Sequence, residues 1–172
     1  MFIKFRSFRG FMLAEPIIVL AAAVMFVAYP AITQPHGEEA RQTTCVSNQK
    51  QIALATMMYV QENDEKFPPV DNKTWELIDV GGKLLECPSN RNDRSISYSY
   101  NANLSRLSLG KIYDPTEVAL TADSDNENSK MTKISDIALR HRKDESAYAI
   151  VAFTDGHVVL QSEARLRDIK FK

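Results

Sequence analysis

Three sets of side chains in this 172-residue chain have types and spacings suited to chemistry. His141, Asp155 and His157 supply two imidazoles and a carboxylate, enough donor types for three zinc ligands or an acid–base pair. Asp155-Gly156, however, lies between two apolar, β-branched runs, where Asp-Gly marks a hairpin turn. A structural role for the histidines is therefore preferred, and His36 is expected to be solvated. Asp123-Ser124-Asp125-Asn126-Glu127-Asn128 is rich in oxygen donors, with Asp123, Asp125 and Glu127 alternating as calcium ligands would. The EF-hand pattern is not met, because Asn128 stands where Gly is required and Ile134 where the closing Glu belongs. A solvated polar loop is the competing reading. Trp75, Tyr98, Tyr100 and Tyr113 suggest a glycan- or peptide-binding surface, although aromatics in small sheet domains mostly serve packing. No serine-nucleophile motif, phosphate-cradling glycine loop or closely spaced carboxylate pair accompanies these residues, so no enzymatic activity is expected.

The remaining chemical feature is Glu15, an isolated acid early in an apolar run over residues 11–32. As a helix these 22 residues span about 33 Å, enough to cross the hydrocarbon core of a bilayer. A carboxylate at the centre of such a helix costs about 2.5–3.5 kcal/mol and less toward the interface, so a functional partner is expected for it. Lys4, Arg6 and Arg9 precede the run with no acid among them, which orients the N-terminus to the cytoplasm and sends the remainder across. A cleavable secretory signal is the alternative. The run exceeds the usual apolar length of about 7–15 residues, and no clear small-x-small site closes it, so a retained anchor is preferred. With +3 in residues 1–10 and −1 overall, the rest carries −4. That balance offers no basic footprint for nucleic acid.

Export makes Cys45 and Cys87 interpretable. Two cysteines allow one intramolecular pairing, and a bridge between them closes a loop worth roughly 3–4.5 kcal/mol by the loop-entropy account. Buried free thiols are the other reading, and a metal site from two cysteines alone is weaker.

The elements that must position these groups follow from periodicity. Residues 38–63 contain no Pro or Gly and repeat apolar side chains at Val46, Ile52, Ala53, Ala55, Met57, Tyr59 and Val60, predicting a helix with a wide apolar face. Pro30 and Pro35 kink the join before it, and Phe67-Pro68-Pro69 stops it. Residues 74–78 read as a helical turn, and residues 96–100 and 118–122 as strands. In the first of these strands Ile96, Tyr98 and Tyr100 share a face. Residues 148–153 and 157–161 read as a hairpin around Asp155-Gly156. The expected fold class is α+β: a long N-terminal helix packed on a small antiparallel sheet.

The N-terminal pattern of basic leader, Gly10, Phe11 and Glu15 resembles the processing signal of type IV pilins and type II secretion pseudopilins. Cys45-Val-Ser-Asn-Gln-Lys-Gln-Ile, Phe67-Pro-Pro, Trp75, Cys87-Pro-Ser and Tyr98-Ser-Tyr-Asn extend it. So do Arg140-His141 and Phe153-Thr-Asp-Gly-His. Together they resemble pseudopilin-like proteins carrying a C-terminal motif of His followed by Asp-Gly, here His141, Asp155 and Gly156. Thirteen residues separate His141 from Asp155, where the motif has about nine. Met12, Ala14 and Pro16 also depart from the usual signal, although a proline is tolerated in a first helical turn.

The resemblance implies cleavage after Gly10 by a prepilin peptidase, methylation of the Phe11 amine, and assembly through Glu15 into a filament with like or related subunits. It further implies a leader at 1–10, a membrane-spanning and filament-core half-helix at 11–32, and a kinked join with an amphipathic half-helix at 33–66. An exported sheet domain at 67–172 completes the pilin-like arrangement, held at a bacterial inner membrane. Calcium at Asp123, Asp125 and Glu127 gains support from the calcium loops of major pseudopilins, and no other cofactor is implied. An uncleaved, signal-anchored periplasmic ligand-binding module is the second functional reading.

Overall fold

The computed structural model describes residues 37–90, 92 and 95–171. Gly10, Phe11, Glu15 and the whole apolar run lie outside the described residues. Among the described residues no helix is long and apolar enough to cross a membrane.

Helix α1 (Gly37–Glu62) opens the described chain. Glu38 and Glu39 in its first turn complement the positive end of the helix dipole. Beyond it Asp64 and Glu65 both take positive φ, and Phe67-Pro68-Pro69 leads the chain away. Its inward face is Cys45, Asn48, Gln49, Ile52, Ala53, Thr56 and Val60, at the three- and four-residue spacing of one helical stripe. This differs from the expected apolar face. Val46, Ala55, Met57 and Tyr59 only flank the contact, while Asn48, Gln49 and Thr56 lie within it. Burial of these polar groups is tolerated because each finds a partner. Asn48 donates to the Glu86 carbonyl, Gln49 to the Ile150 carbonyl, and Thr56 to the Ile52 carbonyl.

After a short helix α2 (Thr74–Leu77) come six strands: β1 (Tyr98–Asn101), β2 (Ala119–Asp123), β3 (Lys130–Met131), β4 (His141–Lys143), β5 (Ser146–Phe153) and β6 (Val158–Ser162). Helix α3 (Glu163–Leu166) follows directly. The six form one sheet, antiparallel except for the β1–β3 pair, so the architecture is α+β. Both faces are covered. Tyr98, Tyr100, Leu120, Ile150 and Ala152 pack in the core shared with α1, while Ala149, Val151, Phe153, Met131, Ile137, Leu166 and Ile169 form a second core. Hence all four residues of β1 are buried, and the alternation of its sequence marks two different cores rather than a wet and a dry face.

Strand β5 is the organising element. Its Tyr148 pairs with His141 of β4 and with Ser162 of β6, which therefore lie on opposite edges. Strand β2 shares the β4 edge, pairing Ala122 with Val151. Thus β2 and β4 lie end to end along one edge of β5, with a gap opposite Ala149 and Ile150. At the far end of β5 the hairpin turns through Thr154-Asp155-Gly156. There Gly156 takes φ of 90°, a conformation costly for residues with a Cβ.

Candidate functional site: a buried polar junction

The gap between β2 and β4 leaves backbone groups of Ile150 without a strand partner, and such groups must be satisfied when buried. Asp123, the last residue of β2, fills the gap: its Oδ2 accepts the Ile150 N–H at 2.7 Å. Gln49 reaches over from α1 to the Ile150 carbonyl and also accepts from the Thr121 hydroxyl. The sheet's interruption is therefore closed by side chains of β2 and the helix.

The same carboxylate anchors a charged cluster. His141, first residue of β4, is fully buried, with Nε2 at 3.2 Å from Asp123 Oδ2 and Nδ1 at 3.0 Å from Glu38 Oε1. Glu38 belongs to the first turn of α1, so the ring bridges helix and sheet. Ser89 donates to the same Glu38 oxygen at 2.7 Å, and Arg41 Nε binds its other oxygen at 3.0 Å. Arg140 is buried beside Asp123, with Nε 3.9 Å from Oδ1. It donates through Nη2 to the Ser124 carbonyl and to Asp125. Asp123 Oδ1 and Arg140 Nε and Nη1 make no hydrogen bond although buried.

Two titrations are displaced here. Burial works to lower the pKa of His141, but hydrogen bonding and charge from Asp123, then from Glu38, overcome it and raise the value above the ordinary 6.5. Burial works to raise Glu38, but hydrogen bonds from Ser89, His141 and Arg41 bring it below the ordinary range. Both effects favour an imidazolium held between two carboxylates.

Cys45 and Cys87 are joined by a disulfide, with Cα atoms 5.4 Å apart. The bond ties the third turn of α1 to the loop before β1, and Cys87 Sγ lies 3.6 Å from His141 Nε2. One buried site thus holds a covalent tie and a charged tie, both between α1 and the sheet side of the domain.

The residue sets whose types suit a shared site are not gathered into one. His141 stands opposite Tyr148, whereas Asp155 and Gly156 form the turn at the other end of β5, roughly 20 Å along the strand. Asp155 there accepts from the His157 backbone and ring, and His157 stacks on Phe153. The trio His141, Asp155 and His157 is not assembled. Of the oxygen-rich stretch, Asp123 turns into the core, Asp125 pairs with Arg140, and Glu127 is exposed. Their carboxylates do not gather; among the described residues the only three-donor cluster is Cys45, Cys87 and His141. Trp75, Tyr98 and Tyr100 are core, with Trp75 and Tyr100 in edge contact, and only Tyr113 is exposed.

Sequence reasoning missed Glu38, Ser89 and Arg140. Glu38 reads as a dipole-favouring acid paired with Arg41 one turn on, and nothing local indicates a contact 103 positions away. Arg140 offers a weak signal, as a cation directly preceding a histidine in a chain segment otherwise bound for the sheet. No family model, curated protein or solved structure matches this chain.

Proposed function

We propose that this chain is a pseudopilin-like structural subunit, cut after Gly10 by a prepilin peptidase and built into a type II secretion-like or type IV pilus-like filament. The observation that carries the reading is the placement of Gly10-Phe11 and Glu15 where a basic leader meets a membrane-length apolar run. An α+β domain whose long helix begins shortly after that run, in sequence, supports it.

In this reading, hydrolysis of the Gly10–Phe11 peptide bond frees an α-ammonium at Phe11. Glu15 of a neighbouring subunit is its counter-charge in the apolar filament core. A buried ion pair adds little net stability, but breaking one costs about 3–5 kcal/mol, so the pair sets subunit register. The subunit waits in the bacterial inner membrane with its domain in the periplasm. Its partners are the peptidase and like or related subunits. The ties around Glu38, His141 and Cys45 hold the first turns of α1 to the sheet, so displacement of the helix carries the domain with it.

Intact-mass measurement of the full chain extracted from membranes tests this. The expected species begins at Phe11 and carries one added methyl group. A species retaining residues 1–10, as an uncleaved anchored binding module would, or one cut near Gly37, refutes it. Glu15→Leu is expected to be processed normally yet to be missing from sheared filaments.

A further inference from the structure

The disulfide is one of two states available to its sulfurs. Every copy of the chain is synthesised with reduced thiols, and a bond forms only after export to an oxidising compartment. With the sulfurs bonded, the donor atoms of Cys45, Cys87 and His141, all buried, lie within 4.8 Å of one another, and reduction turns the pair into two thiols beside the imidazole. We propose that this dithiol form holds a divalent metal ion of the zinc class on Cys45 Sγ, Cys87 Sγ and His141 Nε2, its fourth position opening toward Asp123.

The geometry supports this independently of composition. Tetrahedral zinc with bonds of about 2.0–2.1 Å to N or O and 2.3 Å to S requires N and O ligand atoms about 3.3 Å apart, and N and S about 3.6 Å apart. His141 Nε2 is 3.2 Å from Asp123 Oδ2 and 3.6 Å from Cys87 Sγ. The two sulfurs must part to about 3.8 Å, which reduction alone permits. Metal-binding histidines donate their second ring N–H to a carboxylate, which fixes tautomer and orientation. Glu38 Oε1, 3.0 Å from Nδ1, occupies that position.

Asp123 Oδ1 is also buried without a hydrogen bond, so the carboxylate beside His141 Nε2 keeps an unused lone pair. Clefts of about 760 and 700 Å³, the first lined by Cys87 and the second by Glu38 and Arg140, bring solvent to the rim of the site.

The balance is complete. A thiol reductant supplies two electrons and two protons and converts the disulfide to two thiols. Metal uptake then releases both thiol protons and the Nε2 proton. One divalent ion, two thiolates and a neutral imidazole form a unit of zero net charge, and Asp123 and Glu38 then keep Arg140 and Arg41 as their cationic neighbours. The site concerns the exported domain alone and stands or falls separately from the filament reading.

Cobalt(II) titration of the full-length protein in detergent, under anaerobic conditions and with a phosphine reductant, tests it. One cobalt per chain is expected, with a thiolate-to-cobalt charge-transfer band and intense tetrahedral d–d bands that zinc abolishes. The oxidised protein is expected to give neither band. Glu38→Gln should weaken binding about 10–100-fold, as loss of an orienting carboxylate does, and His141→Asn should remove the tetrahedral bands. Absence of the thiolate band in the reduced protein overturns the proposal. So does affinity unchanged by Glu38→Gln, a variant confined to the half-buried rim that can be read even if His141→Asn does not fold.

Discussion

Replacing Asp123 by Asn removes one charge from a fully buried site with almost no change of volume, and the structure indicates what that costs. The aspartate accepts the Ile150 N–H at 2.7 Å, faces His141 Nε2 at 3.2 Å and lies 3.9 Å from Arg140 Nε. The asparagine oxygen can keep the Ile150 bond, since it remains an acceptor. Its amide, however, brings N–H donors toward Arg140 or His141, both of which are donors themselves. Breaking a buried ion pair by removing one partner costs about 3–5 kcal/mol. The lower end applies, because Arg140 keeps Asp125 and the Ser124 carbonyl, and His141 keeps Glu38. A loss of about 3 kcal/mol is a large share of the 5–15 kcal/mol typical of a domain. Urea unfolding of the oxidised protein, followed by circular dichroism, should show the midpoint falling by about 1–3 M with the slope unchanged. Adding His141→Gln to Asp123→Asn should cost less than the sum of the two, with a coupling of about 0.5–3 kcal/mol. A loss below about 1 kcal/mol, or strict additivity, would falsify the claim that these charges depend on one another.

Reducing the disulfide in the presence of a chelator should destabilise the domain by about 4 kcal/mol, the loop-entropy value for a sequence separation of 42 residues. Unfolding curves with and without reductant check this, and coincident curves would contradict it. Stability should also depend on pH in two limbs. Glu38 is held below its ordinary 4.5, so its contribution is present above that value and is lost as pH falls through the folded pKa. His141 is held above 6.5, so its contribution is complete below 6.5 and disappears as pH rises through the folded pKa. Thermal midpoints should therefore be highest between these limbs, with the alkaline decline flattened by His141→Gln. An unchanged alkaline decline in that variant would mean the ring stays neutral.

A buried charged cluster is a poor source of net stability, since desolvation offsets most of its Coulomb attraction. Its value here is positional. Ile52, Ala53 and Val60 would pack against the sheet almost as well after a small slide of α1, because hydrophobic contact is not directional. Glu38 to His141, Gln42 to the Arg142 carbonyl, Asn48 to the Glu86 carbonyl and Gln49 to Ile150 are directional and admit one register. The disulfide adds a covalent tie in that register.

Local chemistry alone placed most of the elements. A stretch free of Pro and Gly predicted a helix over 38–63, and α1 runs Gly37–Glu62. Alternating β-branched runs around Asp155-Gly156 predicted the hairpin that β5 and β6 form, because periodicity and turn chemistry act over a few residues. The two short strands β3 and β4 carry too few residues to show a period, and both were missed. The site needed the tertiary structure. Asp123 read as the start of a solvated loop, yet it points inward because β2 and β4 stop short of each other along β5 and leave the Ile150 N–H to be satisfied. His141, Asp155 and Gly156 read as parts of one C-terminal motif, yet strand pairing sets the histidine and the turn at opposite ends of β5 and gives the histidine to Glu38 and Asp123 instead. Nothing within reach of local pattern joins positions 38, 45, 87, 123 and 141. Only the docking of the helix across a gap in the sheet brings them together.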